Sequence, residues 1–251
     1  MEQNMGDRYR DFLKDSVRRT VDFRQTDQSR GIPAPPLQKP FGAKATTIDL
    51  VPFRKWETIR EVNLVDAIRR RRSRRTFQNV PLTLEELSFL LWATQGLSVK
   101  LDEGHALRTV PSAGCRHAFE TYLCVLNVEG LHKGVYRYLP LGHELLHEFS
   151  EDRLAEKTVT AVFGQPYPGE AAVTFVWTAI PYRMEWRYGP ASYKVIALDA
   201  GHVCQNLYLA CEALGAGTCA IAAYDQEAMD RLLRIDGKDE FTVYLAPVGK
   251  V

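Results

Sequence analysis

The sequence predicts an α+β fold built around one sheet, and three observations carry that prediction. Strand-like runs fall in two groups, residues 120–149 and 171–248, where a doubly wound fold would alternate strands and helices. The run Ala171–Ile180 is apolar on both faces, as a central strand has to be. Residues Ser192–Leu214 carry the stripe of one long buried helix, and its small residues (Ala200, Ala210) permit close packing.

The remaining elements follow in chain order. Residues 8–24 place Tyr9, Phe12, Leu13, Val17 and Val21 at helical spacing among alternating charges. The proline-rich stretch 31–40 reads as an extended connector lying over a surface. Asn63 is a suitable N-cap for a short helix with Val65 and Ile68 as its apolar face. On that phase Arg71 and Arg72 lie on the inward side. Thr83-Leu84-Glu85-Glu86 is a capping box, opening a helix that lines up Leu87, Leu90, Leu91 and Thr94 and stops at Gly96. A polar loop then leads to strands over 120–128, 134–138 and 144–149 and a modest helix over 151–163. Leu198, with Val195, Val203, Leu207 and Leu214, belongs to the predicted stripe of the long helix, which Gly215 and Gly217 terminate. A strand over 217–224, a helix capped by Asp225 and a strand over 241–248 complete the chain.

Composition excludes several classes. With 251 residues, 45% hydrophobic and 25% charged, the chain can bury a substantial core. A formal net charge of +1 gives no global drive toward nucleic acid or membrane. No apolar run is long enough to span a bilayer, and Met1–Arg8 lacks the apolar segment of a secretory signal, so a cytoplasmic location is expected. The five cysteines include no Cys-x-x-Cys pair. His143 and His147 are spaced as ligands on a helix would be, yet they sit in a predicted hairpin arm, so no metal is expected.

Against this neutral background six arginines crowd into the seven positions Arg69–Arg75, with only Ser73 between them. Such density repels itself unless an anion sits within it. A nucleic-acid patch is one reading, but no aromatic residues interleave with the arginines and the rest of the chain is neutral. A phosphate site is the sharper reading, because guanidinium forks match phosphate oxygens and a serine adds a donor. Neither a Gly-x-x-x-x-Gly-Lys-Ser/Thr loop nor a Gly-x-Gly-x-x-Gly loop after a strand is present.

The run Arg71-Arg72-Ser73-Arg74-Arg75-Thr76-Phe77 resembles the FMN-phosphate signature of the nitroreductase family. Pro111-Ser112-Ala113-Gly114-Cys115-Arg116-His117, followed by Glu120, is similar to a second signature found in its SagB-type dehydrogenase branch. Asp199-Ala200-Gly201-His202 with Gln205-Asn206-Leu207, and the stretch from Leu232 to Lys250, also resemble the family, in the same order. The resemblance implies a nitroreductase-like fold: a mostly antiparallel central sheet flanked by helices, in an intertwined homodimer with FMN at the interface. It divides the chain into a helical and Pro-rich extended segment, 1–61, and an FMN-binding domain, 62–251. It implies Arg71, Arg72, Ser73 and Arg75 at the FMN phosphate, with Lys250 as a further contact. Pro111, Ser112, Ala113 and Cys115 would lie along the isoalloxazine and ribityl, and backbone N–H groups of Ala220, Ile221, Ala222 and Ala223 near flavin N5.

The implied function is an FMN-dependent oxidoreductase passing hydride between flavin and a small molecule or peptide, with NAD(P)H as reductant. Azoline dehydrogenation by oxidised FMN is an alternative, since the SagB branch carries a Lys-Tyr pair before a glycine where this chain has Arg187-Tyr188-Gly189. Arginine stays charged and makes a poor base, so Tyr188 and Arg187 are either catalytic or packing groups at the flavin edge. A flavin- or nucleotide-binding module without activity is the reading from another class.

Overall fold

The structure is a computed structural model that describes residues 5–251, so the residue 1–8 stretch read above for a signal lies partly outside it. The strands are β1 (Thr47–Asp49), β2 (Leu97–Lys100), β3 (Ala106–Arg108), β4 (Phe119–Val125), β5 (Gly134–Leu139), β6 (Glu144–Ser150), β7 (Val173–Ala179), β8 (Ala216–Thr218) and β9 (Phe241–Lys250). The helices are α1 (Met5–Leu13), α2 (Leu64–Arg70), α3 (Leu84–Gln95), α4 (Leu154–Ala161), α5 (Tyr167–Glu170), α6 (Tyr182–Tyr188), α7 (Ser192–Leu214) and α8 (Gln226–Leu233). Seven strands form the central sheet in the order β1-β6-β5-β4-β7-β9-β8. Every neighbour in it is antiparallel. The α+β class and the antiparallel sheet are as the sequence predicts, with the doubly apolar β7 paired on both sides.

The sheet is covered on two faces. On one, Leu87, Leu90 and Leu91 of α3 and Val203 and Leu207 of α7 pack on Phe119, Leu123, Phe175 and Trp177. On the other, Leu154 of α4 and Met229 and Leu233 of α8 pack on Tyr122, Cys124, Val176 and Leu245. The three predicted caps form: Asn63 accepts from the Val65 N–H, Thr83 and Glu86 exchange both bonds of the capping box, and Asp225 accepts from the Ala228 N–H. Helix α7 spans Ser192–Leu214 and ends at Gly215 in the left-handed conformation, φ 58°.

Other expectations are corrected. The single helix over 8–24 is instead α1 followed by short 3₁₀ turns at Ser16–Arg19 and Phe23–Gln25. There Asp22 accepts from the Arg24 backbone and side chain, local bonds that compete with a helix ladder. Val65 and Ile68 are exposed, because α2 turns Ala67 inward; Leu198 of α7 is exposed as well. The strand expected over 217–224 stops at Thr218, since Ala220 bonds to a side chain and Ile221 crosses to Leu245. The polar loop before residue 110 contains the β2–β3 hairpin, and α6 follows Pro181 where no helix was expected. Segment 47–49 joins the sheet as edge strand β1.

The proline-rich segment runs extended over one end of the sheet and is fastened mainly through its backbone. Trp186 Nε1 donates to the Ile32 carbonyl (2.9 Å), Arg108 Nη2 to Leu37 (2.8 Å), and Arg137 Nη1 to Lys39 (2.9 Å). The Lys39 N–H in turn donates to Glu120 Oε1 at 2.8 Å. Beneath it Glu120 also takes Arg183 and Arg137, all three almost fully buried. Burial alone would raise the Glu120 pKa, but Arg183 and Arg137 hold it below the ordinary carboxylate value.

Candidate functional site

Helix α7 gathers the loops that the sequence motifs mark. The first is the arginine run. After α2 the chain turns along the outer edge of β8, where Ser73 bridges Thr218 and the Arg74 N–H donates to the Thr218 carbonyl at 2.9 Å. Gly217 makes this approach possible: a Cβ there would lie 2.5 Å from Arg74 Cγ. Further on, the Gln78 N–H donates to the Lys250 carbonyl at 2.9 Å.

The arginines divide into distinct groups. Arg69 and Arg70 pair with Asp66. Arg72 Nη1 folds back onto the Arg69 and Arg71 carbonyls at the C-terminus of α2. Arg71 is half-buried, with its guanidinium 5.3 Å from the Tyr208 ring centroid. Arg75 lies by the Tyr167 hydroxyl, whose pKa burial and the Cys219 thiol raise and Arg75 partly lowers. Among the described residues, Arg71, Arg72, Arg74 and Arg75 have no carboxylate within ion-pair distance.

Tyr208, a residue the motifs did not mark, joins this loop to the chain after β8. Its hydroxyl lies 3.1 Å from Ser73 Oγ and accepts the Ala220 N–H at 2.9 Å. The Ile221 N–H is likewise used, donating to the Leu245 carbonyl at 2.8 Å. Of the four backbone donors expected to face a flavin, those of Ala222 and Ala223 are without a protein partner among the described residues, and both residues are exposed.

The second loop, Pro111–His117, packs at the N-terminal half of α7. The Ala113 N–H donates to Asp199 Oδ2 (3.3 Å), and Ser112 Oγ accepts the His117 N–H (3.0 Å). Burial raises the Asp199 pKa, and Ser112 and Ala113 oppose that rise. Gly114, Cys115 and His117 all have positive φ (59°, 56° and 47°), so the loop is folded against ordinary backbone preference. A Cβ at Gly114 would fall 2.5 Å from the Tyr188 hydroxyl and 2.9 Å from Arg187 Nε. Thus Arg187 and Tyr188 at the end of α6 meet this loop, with the Arg187 guanidinium 5.5 Å from the Tyr188 ring centroid. Arg116 is buried, donating to the Arg183 and Gly104 carbonyls and lying 4.5 Å from the Trp186 ring centroid. His117 is buried too; burial and nearby Arg108 lower its pKa from 6.5 to about 3.

Lys250 is committed elsewhere: its ammonium pairs with Glu86 and donates to the Leu214 carbonyl. Its backbone carbonyl, not its side chain, touches the arginine loop. Cys115 is half-buried beside Arg116, and among the described residues no group of three or more His, Cys, Asp or Glu side chains could hold a metal. No helix among them is long and apolar enough to cross a membrane.

Residues 68–250, nearly the whole span of these loops, match the nitroreductase family model. The chain belongs to the nitroreductase family. It is 33% identical to a nitroreductase-like protein of Methanocaldococcus jannaschii over 192 residues, 76% of this chain and 93% of that one. A nitroreductase-like structure from Ralstonia eutropha superposes with a TM-score of 0.67 at 25% identity, covering 87% of this chain and 98% of the other. The trifolitoxin-processing protein TfxB of Rhizobium leguminosarum bv. trifolii is 29% identical over 136 residues, 53% of this chain and 36% of TfxB. Nitroreductases are oxidoreductases, and the fold is theirs.

Proposed function

We propose that the protein is an FMN-dependent oxidoreductase of the SagB-type branch, passing hydride between flavin and a small molecule or peptide, with NAD(P)H as reductant. The observation that carries this reading is the cradle around α7. At one end Ser73 and Arg71 both meet Tyr208 of α7, and neither Arg71 nor Arg75 on that loop has a carboxylate within ion-pair distance among the described residues. At the other, the tightly folded Pro111–Cys115 loop is held by Asp199. From Asp199 to Tyr208 α7 rises about 13 Å, which suits a mononucleotide laid between the two. The donor set fits FMN: guanidinium groups and a serine for a phosphate, and free N–H groups at Ala222 and Ala223 for a ring edge.

When bound, FMN supplies the hydride chemistry. The chain's own residues bind and orient. Arg71, Arg75 and Ser73 hold the phosphate, with Arg72 near them as the cap of α2. Pro111, Ser112, Ala113 and Cys115 border the ring and ribityl. Lys250 supports the clamp loop through its carbonyl. Residues 62–251 make up this unit, and the Pro-rich part of the segment before it is fastened to the sheet end. The exposed apolar side chains Leu64, Val65, Ile68, Tyr193 and Leu198 on α2 and α7 are suited to a second copy, and so support a homodimer with the cofactor at its interface.

A second reading is favoured by the similarity to TfxB, which is named for processing trifolitoxin. It makes the substrate a peptide azoline ring, with Tyr188 beside Gly114 as the group able to move a proton and Arg187 as its charged neighbour. One preparation tests both. Native protein is expected to be yellow, to release FMN on denaturation, to run at twice the chain mass and to bleach with NAD(P)H. Colourless protein that refuses added FMN overturns the flavin readings. Flavin that reoxidises with nitroaromatics but never turns over azoline peptides leaves only the first.

A further inference from the structure

The bonds at Tyr208 have a direction. Its hydroxyl oxygen accepts the Ala220 N–H, an assignment that admits no reversal because an amide nitrogen only donates. The remaining partner is Ser73 Oγ at 3.1 Å. A half-buried phenol hydroxyl with one acceptor in reach gives its proton there, since an unused donor is costly. Ser73 then accepts, and its own proton is turned away from Tyr208 toward the exposed side of the loop. The Arg71 guanidinium over the phenol ring adds a nearby positive charge. Ser73 itself is exposed on a loop pinned to β8, so the backbone is fixed while the hydroxyl proton would otherwise be free to rotate.

We infer that Tyr208 is a positioning residue: it sets a one-way relay, Ala220 N–H to Tyr208 O–H to Ser73 O–H, that presents the Ser73 proton to a bound phosphate monoester. The relay rests on the flavin reading above and deepens it, because its two ends lie at the phosphate clamp and at the turn leading to the free N–H groups of Ala222 and Ala223. Chains of this kind strengthen when the terminal acceptor is an anion. The relay should therefore act on the phosphate and leave the ring alone.

Affinities for FMN and for riboflavin, which lacks the phosphate, separate these effects in the full-length apoprotein by flavin fluorescence quenching. Ser73→Ala and Tyr208→Phe are each expected to weaken FMN about tenfold, the scale of one charge-assisted bond, and to leave riboflavin within about twofold. The double variant should bind FMN no more weakly than Ser73→Ala, because the two groups act in series. Equal losses for FMN and riboflavin in Tyr208→Phe, or losses that multiply in the double variant, would overturn the relay. Should Tyr208→Phe fail to fold, 4-aminophenylalanine at position 208 keeps a donor toward Ser73 and is expected to retain the preference for FMN; loss of that preference overturns the relay equally. Wild-type protein that binds neither flavin overturns the cofactor reading and the relay together, whereas FMN binding by wild type with an unaffected Tyr208→Phe removes the relay alone.

Discussion

Two regions of the molecule are rich in arginine, and they differ in where the counter-charge comes from. Arg137 and Arg183 are almost fully buried; Glu120 near the start of β4 lies between them, and Glu148 pairs with Arg137 as well. Arg71 and Arg75 lie on a loop against the sheet edge, and no carboxylate of the chain meets them among the described residues. The first set is complete in itself and holds the fold. The second has no carboxylate of its own, as the phosphate site proposed above requires. Arginine density in a sequence is therefore uninformative until each guanidinium has been traced to its partner.

The largest test of the contrast is Glu120→Gln. It leaves the buried Arg183 guanidinium without a carboxylate, while Arg137 keeps Glu148 at 2.7 Å, and we expect a loss of about 3–5 kcal/mol, read as a shift in the denaturant midpoint. A midpoint within error of wild type would mean that water reaches the pair. Next comes pH. His117 sits among Arg108, Arg116 and Arg183 and is kept neutral, with its pKa lowered from 6.5 to about 3. The unfolded chain takes up that proton first, so its contribution is whole above pH 6.5 and is lost as pH falls toward 3. The slope is about 1.4 kcal/mol per pH unit. Glu120, also lowered, adds a loss in the same direction below the ordinary carboxylate range. Chemical denaturation from pH 7 to 4.5 is expected to show the decline, and His117→Gln to flatten it; an unchanged slope in the variant would assign the decline to the carboxylates. In the open cluster the expectation reverses. Arg71→Ala should cost about 1.5–3 kcal/mol of FMN affinity and change folding stability by less than about 0.5 kcal/mol. Arg69→Ala, whose partner is Asp66, serves as the matched control with neither effect.

Much of the fold was legible because it is set by neighbours in sequence. The caps at Asn63, Thr83 and Asp225 each act within two or three residues, and α7 is bounded by its own apolar stripe and by Gly215. The outward turn of Val65 and Ile68 was not legible, because helical phase identifies an apolar face without saying what covers it. The arginine run and the Pro-Ser-Ala-Gly loop could be named as candidates from residue type alone. Tyr208 could not, since its bond to Ser73 joins residues 135 positions apart and a tyrosine within a buried helical stripe reads as packing. The same holds for Glu120 with Arg183, 63 apart, and for the link between Gly114 and Tyr188. Local chemistry shows in sequence, whereas partners brought together by the sheet do not.

The proline-rich segment over the buried arginines has a consequence for how mutations there will read. It is held largely by the carbonyls of Ile32, Leu37 and Lys39, groups that every amino acid carries. The side chains that matter are Leu37, which is buried, Gln38, which accepts from the Leu141 N–H, and Lys39, which pairs with the buried Glu240 and donates to Tyr122; replacing the others one at a time removes few fastenings. Changing its length does what substitution cannot. In an extended chain one inserted or deleted residue shifts the following carbonyls by about 3 Å, away from the guanidinium groups waiting for them. Outside Leu37, Gln38 and Lys39 the segment is thus permissive in its letters, and throughout it is strict in its count.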